Sequence, residues 1–468
     1  MTAPPTLNYA NDRGPHLFRA LRSRNYRLFF IGQGISLIGT FLTQIATVWL
    51  IYRLTGSELL LGTVAFAGQI PLFFLAPFGG VLVDRWNKRR LLVITQFLAM
   101  CQSLALAAIT LTDIKVWYVI ALAFAQGLIN CFDMPARQAF TVEMVDDRED
   151  LPNAIALNST MVHAARLIGP ASAGFLVYYV GEGLCFLIDG LSYLAVIACL
   201  LMMRVKPQEP KPRTATVTEE LHEGIAYAWG SVAIRVLLLL MAVISLTGMP
   251  AMNILMPVFA QSLGGATAGS RTLGLLSAAS GAGALVAAFF LASRRTVVGL
   301  GAVIALSGLL FGWAAIAFAA SRHLWLSLLI APFAGFGMIA TFASANTLVQ
   351  TLADDDKRGR VMSLFTVAFL GMAPFGNLLA GWAASHLGKG LVGASHAVAY
   401  AGVIVIVAVL FFAAMLPAVR KIVRPIYIQK GIIGEVATGL GNAAAPATAQ
   451  SEVADGAVAM SEEANENR

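Results

Sequence analysis

The chain has 468 residues, 58% of them hydrophobic and only 12% charged, about half the charged share of a soluble domain. That balance excludes a soluble enzyme or nucleic-acid-binding module, and the net charge of +7 is accounted for by cationic loops at a membrane surface. The four cysteines, Cys101, Cys131, Cys185 and Cys199, lie in apolar segments and read as small core residues, not as a disulfide or metal framework.

The first 26 residues are polar and basic. The apolar run after them is too long for a signal-peptide core, so no cleaved signal is expected. Apolar segments follow at about 28–52, 59–83, 91–111, 116–138, 153–180 and 184–204. A polar stretch, 205–232, carries Pro207, Pro210 and Pro212 and a candidate surface helix from Val217 to Trp229. Six more segments occupy about 233–262, 272–293, 297–320, 324–350, 361–386 and 396–417. Each is long enough to cross about 30 Å of hydrocarbon. The tail from Arg420 is first basic and then rich in Ala, Gly, Ser and Glu, and disorder is expected from about Gly439. The sequence thus predicts an all-α polytopic membrane protein of twelve transmembrane helices. Its parts are a leader (1–26), a first six-helix bundle (27–204), a central loop (205–232), a second bundle (233–417) and a tail (418–468).

Between the second and third segments runs Gly80-Val81-Leu82-Val83-Asp84-Arg85-Trp86-Asn87-Lys88-Arg89-Arg90. A short loop this basic stays in the cytoplasm. Of the 32 lysines and arginines, Arg53, Lys115, Arg271, Arg322 and Lys389 fall on the opposite side and Arg166 alone deep inside a segment. Both termini are therefore expected in the cytoplasm. Asp84, at a helix C-terminus, opposes its own helix dipole and needs a partner. Gly80, one turn earlier, lets a neighbouring helix approach.

Segment 1 carries Gln33, Ser36, Thr40, Thr43 and Thr47 on one helical face, with Gln44 beside them. Such a stripe either lines a wet cavity or joins helices by hydrogen bonds, and its length favours the cavity. Segment 4 carries Gln126, Asn130, Asp133 and Arg137. Asp133 either accepts from Arg89, joining the loop, or pairs with Arg137 one turn on. Segment 5 carries Ser159, His163 and Arg166. A cation at mid-membrane marks a functional site by default, and Arg suits an acidic substrate group. Asp189, inside segment 6, is a candidate proton carrier, because burial disfavours a charged carboxylate. The competing reading makes it a fixed partner of Arg166 or of a serine hydroxyl. Segment 7 has Met241, Met249, Met252 and Met256 as a pliable wall or plain packing, with Asn253 between Pro250 and Pro257. There is no G-x-x-x-x-G-K-[ST] for ATP, no His/Cys/Asp cluster with metal spacing and no framed nucleophilic serine. No cofactor, metal or catalytic residue is expected.

The two halves repeat. Glu143-Met144-Val145-Asp146-Asp147 precedes a helix with Gly169-Pro170 and Gly174, as Gln350-Thr351-Leu352-Ala353-Asp354-Asp355 precedes one with Pro374, Gly376 and Gly381. This is a parallel repeat. The loop pattern G-x-x-x-D-R-x-x-[KR]-R resembles the signature of the major facilitator superfamily, with Asn87 where that family often has Gly. The resemblance implies that Gly80, Asp84, Arg85 and Arg89, with Asp133, form a cytoplasmic latch between halves, the Asp docking on the start of helix 11. The degraded copy Ser293-Arg294-Arg295 lacks the Asp, so the latch is one-sided. Asp133-Met134-Pro135-Ala136-Arg137-Gln138-Ala139, Arg166-Leu167-Ile168-Gly169-Pro170 and Arg358-Gly359-Arg360-Val361-Met362-Ser363 are similar to the efflux branch containing the bacterial enterobactin exporter, the transmembrane secretion effector type.

The resemblance implies a monomeric bacterial inner-membrane exporter of a small molecule, working by alternating access and proton antiport, with no ATP and no nucleic acid. A siderophore, amphipathic metabolite or drug fits as substrate. Gln33, Thr40, Gln44, His163 and Arg166 are the expected substrate contacts, and Asp189 the proton-coupling residue. Uptake by the same fold, and a non-transporting scaffold or membrane enzyme, are the alternatives.

Overall fold

A computed structural model describes residues 16–145, 147–204, 225–294, 296–354 and 357–429. The expected tail disorder falls outside them, as does most of the central loop, of which residues 225–230 are helical. Segments that are hydrophobic all round must satisfy their backbone internally in lipid, and they do so as helices. The first four are α1 (Arg24–Thr55), α2 (Glu58–Arg85), α3 (Lys88–Leu111) and α4 (Val116–Met144). Side chains cap two starts: Ser57 Oγ accepts from the Leu60 amide, and Asn87 Oδ1 from the Arg90 amide.

Eleven stretches among the described residues are long and apolar enough to cross a bilayer. The twelfth pass lies within Leu151–Met202, a 52-residue helical run broken at Gly181, where φ is +80. A straight helix of that length would extend about 78 Å. Instead both ends of the run meet the start of α1. Tyr26 Oη donates to the Ala154 carbonyl at 2.7 Å, and Asn25 Nδ2 donates to the Arg204 carbonyl at 2.9 Å. The run is therefore a helical hairpin of α5 (151–180) and α6 (182–202), reversed on a backbone conformation that glycine adopts freely. Gly265, with φ +71, divides α7 (Val232–Gly265) from α8 (Ala268–Ala292) in the same way. The remaining helices are α9 (Leu300–Ala320), α10 (Leu324–Leu352), α11 (Arg358–Leu387) and α12 (Leu391–Gln429).

The end of the bundle where α1 begins is called proximal here, and the opposite end distal. At the proximal end of the first repeat, Tyr26, Phe29, Val83, Leu92, Phe140, Met144 and Leu200 form a buried core. Trp117, Tyr179, Trp325 and Trp382 are exposed at distal helix ends, and Trp86 and Trp229 at the proximal end. These are the positions of aromatic belts at the two membrane surfaces.

Two helices of the second repeat contain wide π turns, Ile244–Gly248 in α7 and Val367–Gly371 in α11. Each precedes a proline, Pro250 or Pro374, whose missing N–H leaves the carbonyl four residues back without its helical donor. The two turns face one another, and Ser245 Oγ donates to the Phe369 carbonyl inside the opposite turn. Met241, Met252 and Met256 are buried, so the methionine run packs the fold.

Candidate functional site

Asp189 lies seven residues into α6, about 10 Å from its distal end, and is 1% exposed. A lone carboxylate in hydrocarbon is costly unless it is hydrogen-bonded. Helices α1 and α3 supply the donors: Thr43 Oγ1 at 2.8 Å and Ser103 Oγ at 2.7 Å, both to Oδ2. Oδ1 is buried without a hydrogen-bond partner among the described residues. It fits because residue 39 on α1 is glycine, whose Cβ would lie 2.6 Å from Oδ1. Asp189 thus meets two hydroxyls, one of a threonine and one of a serine. The side chains of His163 and Arg166 on α5, and of Asp84 and Arg85 on α2, lie outside what the structure describes, as do the surroundings of Gly80.

A second buried carboxylate, Asp133 on α4, is 4% exposed. It accepts from Thr95 Oγ1 at 2.9 Å and Gln96 Nε2 at 2.7 Å, and pairs with Arg137. Of the two partners open for Asp133, Arg137 is the one found and Arg89 is not. Arg89 instead donates to the carbonyls of Leu200 and Leu201 at 2.8 and 2.7 Å, covering the last carbonyls of α6 where a cation complements the helix dipole. Asp133 sits one turn from Arg137 on its own helix, so the local pair outcompetes a longer reach. Asp133→Ala leaves Arg137 without its partner. The expected cost is about 2 kcal/mol, read as a lowered unfolding temperature of the purified protein in detergent.

The polar stripe of α1 divides. Gln33 and Ser36 are buried, at 3% and 1% exposure. Thr40 and Gln44 are exposed, and Thr43 is held by Asp189. Part of the stripe therefore binds helices together, and part is open to a ligand. In the second repeat Thr341 is spent on Ser307 at 2.8 Å, while Asn253 and Thr347 are exposed. Sequence reasoning missed Ser103, because a single serine carries no pattern until a carboxylate meets it. It also missed Glu182, buried at the start of α6 and joined to Arg53 at 2.8 Å, because the sixth segment was begun two residues later.

The two repeats meet along distal seams made of small residues. On α2 and α11, a Cβ at Gly62 would lie 2.5 Å from the Asn377 carbonyl oxygen, and one at Gly381 would lie 2.5 Å from that of Glu58. Deeper along the same seam, Phe73 packs edge-on to Phe375 at 5.1 Å between ring centroids. On α5 and α8, a Cβ at Gly174 would lie 2.5 Å from Gly274 Cα, and the Arg271 guanidinium stacks 5.4 Å over the Phe175 ring. Trp49 of α1 is buried against Gly269 of α8, which has no room for a Cβ. No side chain, water or solute can pass where backbones touch, so the distal side is closed along these seams.

Comparison with known proteins agrees with this architecture. The family model described as transmembrane secretion effector matches residues 16–424. The staphyloferrin A transporter of Staphylococcus aureus is 24% identical over 357 residues, 75% of this chain and 88% of that protein. The multidrug efflux pump Tap of Mycolicibacterium fortuitum is 26% identical over 356 residues, 73% of this chain and 85% of that one. In fold, the chain is similar to a bacterial homolog of the human lysosomal transporter Spinster, crystallised in an inward-facing and unoccupied conformation. The TM-score is 0.64 at 15% identity, over 86% of this chain and 98% of that one. The chain is a multi-pass membrane transporter, not an enzyme, and belongs to the transmembrane secretion effector family of the major facilitator superfamily.

Proposed function

We propose that this transporter exports a small amphipathic molecule, siderophore-like or drug-like, across the bacterial inner membrane in exchange for protons. The observation that carries the reading is the pairing of a sealed distal seam with an orphaned carboxylate oxygen inside the first repeat. Sealing by bare backbone is a property of one conformational state, which suits alternating access by rocking of two six-helix halves, 27–204 and 233–417. A buried carboxyl served only by hydroxyls has no countercharge among the described residues, so a proton is its natural partner. Both relatives named above are transporters of small molecules, one of staphyloferrin A and one of multiple drugs.

In this reading the proximal end is cytoplasmic, and the state described opens inward. The substrate meets Thr40 and Gln44 of α1 with His163 and Arg166 of α5, and Gln33 is reached once α1 and α6 part. The sequence G80-x-x-x-D84-R85 with Arg89 stabilises the opposite, outward-open state by closing the cytoplasmic side. The test is accumulation of a panel of catechol siderophores, carboxylate siderophores and dyes in everted membrane vesicles, with and without a protonophore. Energised uptake into everted vesicles should collapse with the protonophore and fall at least tenfold in Asp189→Asn, the change expected when a group essential to the coupled step is removed. Accumulation that survives both treatments would sink the proton-antiport assignment.

A further inference from the structure

We propose that α1 carries the charge state of Asp189 to the distal seam, with Thr43 as the positioning residue and Trp49 as the wedge. The proposal rests on the reading of Asp189 as the proton carrier. A threonine inside a helix ordinarily gives its hydroxyl hydrogen to the carbonyl four residues back. Thr40 and Thr55 on the same helix do so, to Ser36 at 3.0 Å and Ile51 at 2.7 Å. Thr43 does not. It reaches out of its helix to Oδ2 of Asp189 at 2.8 Å. The hydroxyl therefore has two partners to choose between, one on another helix and one on its own. A bond to a charged carboxylate is about twice as strong as one to a neutral acceptor. The choice thus follows the charge on Asp189, and with it the hold of α6 on α1.

Six residues beyond Thr43, and about 9 Å further along α1, Trp49 lies in the notch at Gly269 of α8. That same stretch of α8 brings Ser270 and Gly274 against Gly174, and Arg271 over Phe175. A tryptophan with no slack on its far side transmits any axial shift of α1 directly into the seam. On its own helix Cys185 lies one turn before Asp189, and Glu182, paired with Arg53 of α1, about two turns before. Tyr193, one turn after, lies against Thr40 of α1, and the Asp133–Arg137 pair of α4 lies toward the proximal end. α3 presents Ser103 and Gln102, both uncharged. On α5 the titratable and charged residues are His163 and Arg166, whose side chains lie outside the described residues.

The test reads opening of the seam, not transport. Ser270 is 6% exposed, so a Ser270→Cys thiol reports distal opening to a membrane-impermeant maleimide added to intact cells. The unmodified chain supplies the background from native cysteines, and gel-filtration profiles confirm folding of every variant. Labelling, divided at each pH by that of a Thr112→Cys thiol exposed at the distal end of α3 so that the pH dependence of thiol reactivity cancels, is expected to differ several-fold between pH 6 and pH 8. Thr43→Val and Asp189→Asn should both flatten that difference, and Thr43→Ser should restore it. Trp49→Ala should raise labelling at both pH values, with Trp49→Phe intermediate. A flat response in Asp189→Asn beside an intact one in Thr43→Val overturns the role of α1 and leaves the proton carrier standing. An intact response in Asp189→Asn overturns the proton carrier and this inference together. Labelling in Trp49→Ala equal to the parent overturns the wedge.

Discussion

Gly174→Val should abolish transport while leaving a folded protein. Gly174 and Gly274 touch backbone to backbone, and a Cβ at position 174 would also lie 2.8 Å from the Ser270 carbonyl oxygen. A valine adds two further carbons beyond that Cβ. The contact joins two repeats, so the strain can be relieved by separating them, at no cost to packing within either. Overpacking of about 3 kcal/mol is a shift of more than a hundredfold in the balance between two states, since each 1.4 kcal/mol is tenfold. The variant is therefore held open on the distal side. Three readouts follow: normal yield and gel-filtration profile, substrate accumulation in everted vesicles at background, and high labelling of a Ser270→Cys thiol. Near-normal accumulation would show that the cycle does not require this seam to close.

Gly283→Val and Gly335→Val should have the opposite character, destroying the fold itself. A Cβ at Gly283 would overlap the Pro332 carbonyl oxygen, and one at Gly335 would overlap that of Ser280. These contacts join α8 to α10 within one repeat, beside the small core of Ala284, Ala287, Ile339 and Ala340. No rocking of one repeat against the other separates them. A cost of about 3 kcal/mol or more is a large share of a typical domain's stability. The expected result is loss of monodisperse protein and of any cooperative thermal transition in detergent. A folded but slow transporter would mean that α8 and α10 slide past one another during the cycle. The two pairs of glycines look alike in sequence, and only their partners distinguish a moving contact from a fixed one.

That contrast shows what the sequence could and could not convey. Span lengths follow from hydropathy and bilayer thickness, so the twelve passes were legible, including the break at Gly181 between the fifth and sixth segments. The carboxylate at Asp189 was legible because charge inside an apolar run is conspicuous. Its donors were not, since Thr43 and Ser103 lie on separate helices and a hydroxyl has many structural uses. The polar stripe on α1 was read as one surface. The structure divides it, because Gly32 and Gly39 draw α6 close enough to bury Gln33 and Ser36. For Asp133 the sequence left Arg89 and Arg137 both open as partners, and the nearer one in the helix is the one found. The open carbonyl ends of α6, far away in sequence, are the partners of Arg89. Contacts between residues a hundred positions apart, such as Gly174 with Gly274, leave no trace in either local segment.

The facing π turns of α7 and α11 have a mechanical consequence. A rod missing a hydrogen bond partway along concentrates curvature at that point, so the part of α11 from Arg358 to Thr366 can swing while residues 373–387 stay packed on α2. The bond from Ser245 to the Phe369 carbonyl ties the α7 joint to the α11 joint, so the two bend as a pair. The basic loop motif belongs to the first repeat and these joints to the second. The two repeats are accordingly unequal: the elbows are carried by the second.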